Sequence, residues 1–438
     1  MSEPANERKT SDWCGWCACT ELARTFRMAI HPASLLLCFV GLAACFWIAV
    51  AIDQIPAPVG QTDVNSRSFF ANMYDLGTDG LWGDWALPYI GGRTWDDFFT
   101  FVAKPLSAGR DLLALVMEYW QRAPWFAILN TIVGIAVWAW VGGAVARMAA
   151  LRFAREESVP LKKALTFSCR KWPSFAASPL IPFVALVFLG LLTGLLTGVP
   201  LSLIPYVGEV VVPLLFGLTL VGGLMMALVF VGGAFSVGLQ WPTIAAEGSD
   251  SFDAISRSVA YISSRPWRYL WYSIYTAVYG CLTFIFIKFV GFLTLWLTHQ
   301  AVSFFSWRWA GHEEKLVRLW AEPTWQHPWP RTGADALVAN AEFVRSTEAF
   351  GSVVVMIFVW MVFGLMVAFL ISFCLNAQTI IYFLLRRAVD ATDVEEVYVE
   401  EAEEEPLPVE HRVEPAEKAP EEGGPTPAGG EAEEKPPA

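Results

Sequence analysis

The sequence predicts an all-α, polytopic integral membrane protein with about six transmembrane helices joined by two elbow helices in a pseudo-repeat. Three observations lead there. The chain is 55% hydrophobic and only 16% charged, with mean hydropathy +0.45, whereas soluble chains carry about 25% charged residues. It contains apolar runs long enough to cross a hydrocarbon core. Two polar, basic stretches between those runs, Ala154–Pro173 and Ala245–Trp267, share the spacing Glu-x6-Ala-(Leu or Ile)-x-x-Ser, at Glu157–Ser168 and Glu247–Ser258.

Charge divides the chain. From Asp390 onward there are 17 acidic and 3 basic residues, and the rest holds 25 acidic and 27 basic. The membrane body is near neutral, and residues 390–438 read as a disordered acidic tail too poor in apolar residues to bury a core. No basic surface suggests nucleic acid.

Taken in order, residues 1–30 form a segment before the first span. Within it, Cys14, Cys17 and Cys19 have C-x-x-C-x-C spacing. These thiols either hold a metal or exchange with disulfides, or they belong to a membrane-surface anchor. There are three thiols and no nearby His, where a structural zinc site takes four ligands. Leu22, Ala23, Phe26 and Ile30 then fall at helical spacing opposite Arg24 and Arg27, the pattern of an interfacial helix.

The first span is read at 34–52, starting too late and running too long for a cleaved signal. A long loop, 53–122, carries Trp82, Trp85, Trp95 and Trp120, with amphipathic helices over Trp95–Val102 and Leu106–Trp120. The second span covers 125–145 and leads into the first elbow. The third, 179–199, carries Gly190, Gly194 and Gly198, a repeated G-x-x-x-G that lets a neighbouring helix approach closely. The short connection Pro200–Glu209 makes spans three and four an antiparallel hairpin. Span four, 210–239, is glycine-rich and ends in the second elbow. Span five, 269–298, precedes a second long loop, 299–347, whose five Trp residues read as an interfacial belt. Span six covers 350–375 and continues as helix to Arg387.

Lys and Arg gather in the N-terminal segment, both elbows and Arg386–Arg387, which places both termini and both elbows in the cytoplasm of a cell membrane, read as a bacterial inner membrane. No cysteine lies in either outer loop, so no disulfide framework is expected there.

Three residues stand out as candidates. Lys288 is a cation inside an apolar run; it is either functional or snorkels from the outer part of a long helix. Glu157 and Glu247 either favour the dipole of an elbow helix from near its start, with Ser249 or Asp250 as cap in the second, or line a cavity between the halves. His312-Glu313-Glu314 lacks the second His of H-E-x-x-H, and His327 is distant, so no metal site or cofactor is expected.

The paired elbow pattern resembles the polytopic membrane domain of bacterial glycerophosphodiester phosphodiesterases and is similar to that of YciC-type inner-membrane proteins, over roughly residues 125–385. The resemblance implies spans alternating with cytoplasmic elbow helices. It implies no phosphodiesterase activity, because no catalytic barrel follows the membrane region. The Trp-rich outer loops and acidic tail depart from the pattern.

The expectation is therefore a non-enzymatic membrane protein that supports envelope or lipid processes or assembles with partners. The lipid bilayer is its solvent, and protein partners would bind the acidic tail or the Trp-rich loops. The alternative is a transporter or lipid-handling protein with a cavity between the two span–elbow–span halves. A redox enzyme using Cys14 and Cys17 is a third class. The oligomeric state is left open by the Gly190–Gly198 face, which suits packing within or between chains.

Overall fold

A computed structural model describes residues 15–53, 114, 117, 124–203, 207–310, 320, 322–323 and 346–398. Among these residues every regular element is a helix: α1 (Gly15–Ala29), α2 (Pro32–Asp53), α3 (Pro124–Arg155), α4 (Leu161–Arg170), α5 (Trp172–Leu203), α6 (Val207–Glu247), α7 (Ser251–Ser264), α8 (Pro266–Ala310) and α9 (Ser346–Asp390). Six of them, α2, α3, α5, α6, α8 and α9, are long and apolar enough to cross a bilayer. The protein is an all-α polytopic membrane protein.

Helix α9 is the hub. It packs against α1, α2, α3, α6, α7 and α8, and Phe369, Phe373, Ile380, Ile381, Tyr382, Phe383 and Leu385 along it are buried. Large apolar residues on successive turns of its second half give it partners on several sides, as a helix enclosed by others requires, while Phe350, Ile357 and Phe358 in its first half are exposed. The hairpin α5–α6 is the opposite case. Its helices pack chiefly on each other, leaving Phe183, Phe188, Leu191, Leu195, Leu220 and Phe230 exposed. In a spanning helix such residues face lipid, which is as apolar as they are.

Close approach within this hairpin does not use the Gly190–Gly198 stripe. A Cβ on Gly190 would meet only Met226 Sδ at 3.8 Å, and on Gly194 or Gly198 nothing within 4 Å. The tight positions are on the other helix: Gly222 receives Thr193, and Gly233 receives Pro182 at 2.9 Å. Small residues permit approach without choosing which face is approached.

Helix α1 carries Glu21, Arg24 and Arg27 on one face. Its other face, with Leu22, Phe26, Met28 and Ala29, is buried against α8 and α9. Phe26 meets Phe286 and Phe369 edge-on, and Ser372 Oγ donates to Ala29 O at 3.1 Å. Of the stripe read as interfacial, Leu22 is buried and Phe26 half-buried against the bundle, whereas Ala23 and Ile30 are exposed.

Lys288 is 0% exposed. It shares the α8 face of Phe284 and Gly291, and Gly291 sits against Met366 of α9. The cation is enclosed within the bundle and does not snorkel to the outer end of its helix.

The described residues also run past the boundary at 390. Residues 391–398 form a non-helical strap packed on the bundle, so the compact unit extends to Tyr398. The loops 54–113 and 324–345 and residues 399–438 lie outside the described residues, as do Cys14, His312, Glu313, Glu314 and His327. Cys17 and Cys19 fall in α1.

Candidate functional site

Helices α3, α6 and α9 all end at the elbow end of the bundle, and each stops at a left-handed residue: Glu156 (φ 55°), Gly248 (φ 64°) and Ala391 (φ 54°). Such residues break a helix sharply, and glycine does so with least strain. At 248 glycine is also demanded by space, since a Cβ there would lie 2.8 Å from the Tyr398 ring. Asp250 then starts α7 from an extended conformation without a side-chain cap bond. Asp253 in the first turn suits the helix dipole.

Glu247 closes the incoming helix α6; it does not open the elbow helix. A carboxylate there faces the negative end of the α6 dipole, an unfavourable place for it. Its surroundings compensate. The side chain is 10% exposed. Oε2 pairs with Arg257 Nη1 at 2.6 Å, Arg386 Nε lies 3.7 Å from Oε1, and the Tyr382 hydroxyl donates to Oε1. Arg257 Nε also donates to Asp253 Oδ1 at 2.9 Å. The Asp253 hydrogen bond, followed by the charge of Glu247, raises the Arg257 pKa above its ordinary value. Tyr261 extends the network, its hydroxyl donating to Asp390 Oδ2 at 2.6 Å and its ring 6.0 Å from that of Tyr382. Burial first, then the Asp390 bond, raises the Tyr261 pKa and keeps the phenol protonated.

The strap Ala391–Tyr398 lies along this network. Tyr398 N donates to Ala246 O at 2.8 Å. Arg147 of α3, almost wholly buried, donates from Nη1 to Ala245 O and from Nη2 to Tyr398 O, both at 2.6 Å, and stacks 4.4 Å above the Phe167 ring of α4. One guanidinium thereby joins the first elbow, the end of α6 and the strap. Arg155 reaches Glu395 O at 3.4 Å and Val397 O at 3.5 Å, and Arg386 Nη1 donates to Glu396 O at 2.7 Å. Val397 is buried in the apolar cluster beneath. An open cavity of about 750 Å³ remains, lined among others by Arg155, Glu247, Arg257, Arg386, Glu395 and Tyr398.

The first elbow lacks this arrangement. Glu157 is exposed in the 156–160 linker. The motif's other residues do correspond: Ala164, Ala254, Ser168 and Ser258 are all fully buried. Ser168 Oγ donates to Trp140 O at 2.5 Å, and Ser258 Oγ donates to Ala254 O at 2.6 Å and lies 3.3 Å from Thr243 Oγ1. Of the three candidates, Glu247 alone joins this network; Lys288 sits inside the bundle and Glu157 faces solvent. Sequence reading missed Arg147, Tyr382 and the strap. The available signal was the apolar pair Val397–Tyr398 within an acidic stretch.

The chain matches no protein-family model, no curated protein and no solved structure.

Proposed function

We propose that this is a non-enzymatic integral membrane protein of a cell membrane, read as a bacterial inner membrane, that assembles with protein partners at its cytoplasmic face. One observation carries the reading: the strap is pinned to the second elbow by Arg147, Arg155 and Arg386, so the chain leaves the bundle from a fixed point at Tyr398. The 40 residues beyond it hold 13 acidic and 3 basic side chains. A polyanion with a fixed root raises the encounter rate with basic partners and loses that advantage as salt rises. The Arg and Lys that flank the spans at the elbow end support a cytoplasmic position for both termini and both elbows.

The test uses the full chain with a photo-crosslinker at Val399. Protein adducts that fall when Glu400, Glu401, Glu403, Glu404 and Glu405 become Gln, and that fall with added salt, support assembly. Adducts unaffected by both changes would remove this reading.

A lipid-handling role is the second reading, favoured by the arginines lining the elbow cavity. It requires the purified chain to move anionic lipid between vesicles faster than a Glu247→Gln variant does.

A further inference from the structure

Arg147, Arg155 and Arg386 come from two helices and converge on one short strap, and all three donate to its backbone carbonyls. A guanidinium is a planar fork suited to the paired oxygens of a phosphate or carboxylate, and its hydrogen bonds to such anions are shorter and stronger than those to neutral carbonyls. Here the Arg155 bonds are 3.4 and 3.5 Å long. The strap's nearest carboxylate stands off too, with Glu396 Oε2 at 3.8 Å from Arg386 Nη2. Arg155 is therefore held by weaker acceptors than it is built to take, while Arg386 has a 2.7 Å bond to Glu396 O and stands 3.7 Å from Glu247 and 3.8 Å from the Glu396 carboxylate.

The strap's own hold is limited. One backbone hydrogen bond, Tyr398 N to Ala246 O, the buried Val397 and the half-buried Val394 anchor it beside the arginine contacts. Its carboxylates Asp393 and Glu395 are exposed. Without the strap, the charged residues of the cavity wall are Arg155, Arg257 and Arg386 against Glu247 and Asp253. Lifting it turns the wall from net acidic to net basic.

The position also matters. Trp172 and Trp267 stand exposed at the starts of α5 and α8, at this same end of the bundle, with Trp267 81% exposed. Tryptophan at span ends marks the level of lipid headgroups.

We propose that the strap Ala391–Tyr398 is a displaceable lid over a phosphate site, and that Arg155 and Arg386, with Arg257 at the rim, receive a phosphate group when it lifts. The phosphate is that of a lipid headgroup or a free ion. Both have the same oxygens and charge, and the experiment separates them.

The test is native mass spectrometry of the full chain in detergent micelles, with phosphatidylglycerol, diacylglycerol or inorganic phosphate added. Tyr398→Pro deletes the donor to Ala246 O and opens the lid. Lid opening is read in parallel as faster hydrogen exchange over 391–398. Should that segment stay protected, Val397→Asp, which puts a charge in its buried seat, replaces Tyr398→Pro. An opened lid tightens phosphatidylglycerol binding about tenfold if the closed form predominates by that ratio. Arg155→Gln, a change at an exposed side chain, returns the opened variant to the parental value. Diacylglycerol, which lacks the phosphate, shows no gain. A gain for phosphatidylglycerol without competition from inorganic phosphate assigns the site to lipid. Competition and direct binding by inorganic phosphate assign it to the free ion. An opened lid without a gain, or a gain that survives Arg155→Gln, overturns the proposal.

Discussion

The first elbow leaves its glutamate in solvent, while the second closes its glutamate beneath a tyrosine and two arginines. Both keep seven residues from Glu to Ala and four from Ala to Ser. What differs is where the incoming helix stops. Helix α3 ends at Arg155, two residues before Glu157, and α6 runs through to Glu247. The linkers then differ in length, 156–160 against 248–250. Positions on the elbow helices differ too. Phe167 in α4 corresponds to Arg257 in α7, so the first elbow receives a cation on an aromatic face and the second supplies one to a carboxylate. A repeated spacing therefore fixes which residues face the core and leaves the placement of the acid to the local helix end.

The largest expected effect follows from that contrast. Glu247→Ala leaves Arg257, Arg386 and Tyr382 without their shared acceptor and costs about 3 kcal/mol, whereas Glu157→Ala changes stability by no more than about 0.5 kcal/mol. Denaturant unfolding in detergent compares them, and equal losses would erase the distinction between the elbows. Next comes the strap. Ending the chain after Asp390 removes the buried Val397 and the Tyr398 latch and costs about 2 kcal/mol. Ending it after Tyr398 leaves the same unfolding midpoint as the full chain, and insertion survives both.

The helix ends sharpen the comparison at a smaller scale. Gly248→Ala puts a Cβ on a left-handed residue against the Tyr398 ring, costing about 1–2 kcal/mol. Glu156→Gly relieves a left-handed non-glycine residue at the other elbow and gains about 0.5–1 kcal/mol. The pair has opposite signs, and thermal unfolding of both variants reads it directly.

The smallest effect is at the α1–α2 junction. Burial first, then the charge of Arg152, lowers the His31 pKa below 6.5, and its Nδ1 accepts from Ala33 N at 3.3 Å. The unfolded chain therefore takes up this proton more readily than the folded one. Stability is full above about pH 6.5 and declines as pH falls from there toward the lowered value. His31→Gln flattens that decline, as unfolding midpoints across this pH range will record.

The spans were legible because hydropathy reports directly on the solvent a helix needs. The buried pairs Ala164/Ser168 and Ala254/Ser258 were legible because residues four apart share a helix face. The Glu247 site was legible only in its acid. Its partners Tyr382 and Arg386 lie more than a hundred residues away, and nothing local announces which arginine will turn inward. The strap was hidden by its composition, because Val397 and Tyr398 sit among glutamates that read as solvated. The Gly190–Gly198 stripe marked a surface able to be approached, and α6 used its own Gly222 and Gly233 instead. Hydropathy placed Lys288 inside a span but carried no sign of the face it occupies.

The latch between strap and second elbow is best tested by hydrogen exchange over residues 391–398 of the full chain in lipid nanodiscs, with Glu247→Ala alongside. The account predicts that the Tyr398 amide, bonded to Ala246 O, is protected in the parent and loses that protection in the variant. Exchange of the parental segment at the rate of an unstructured peptide would contradict it.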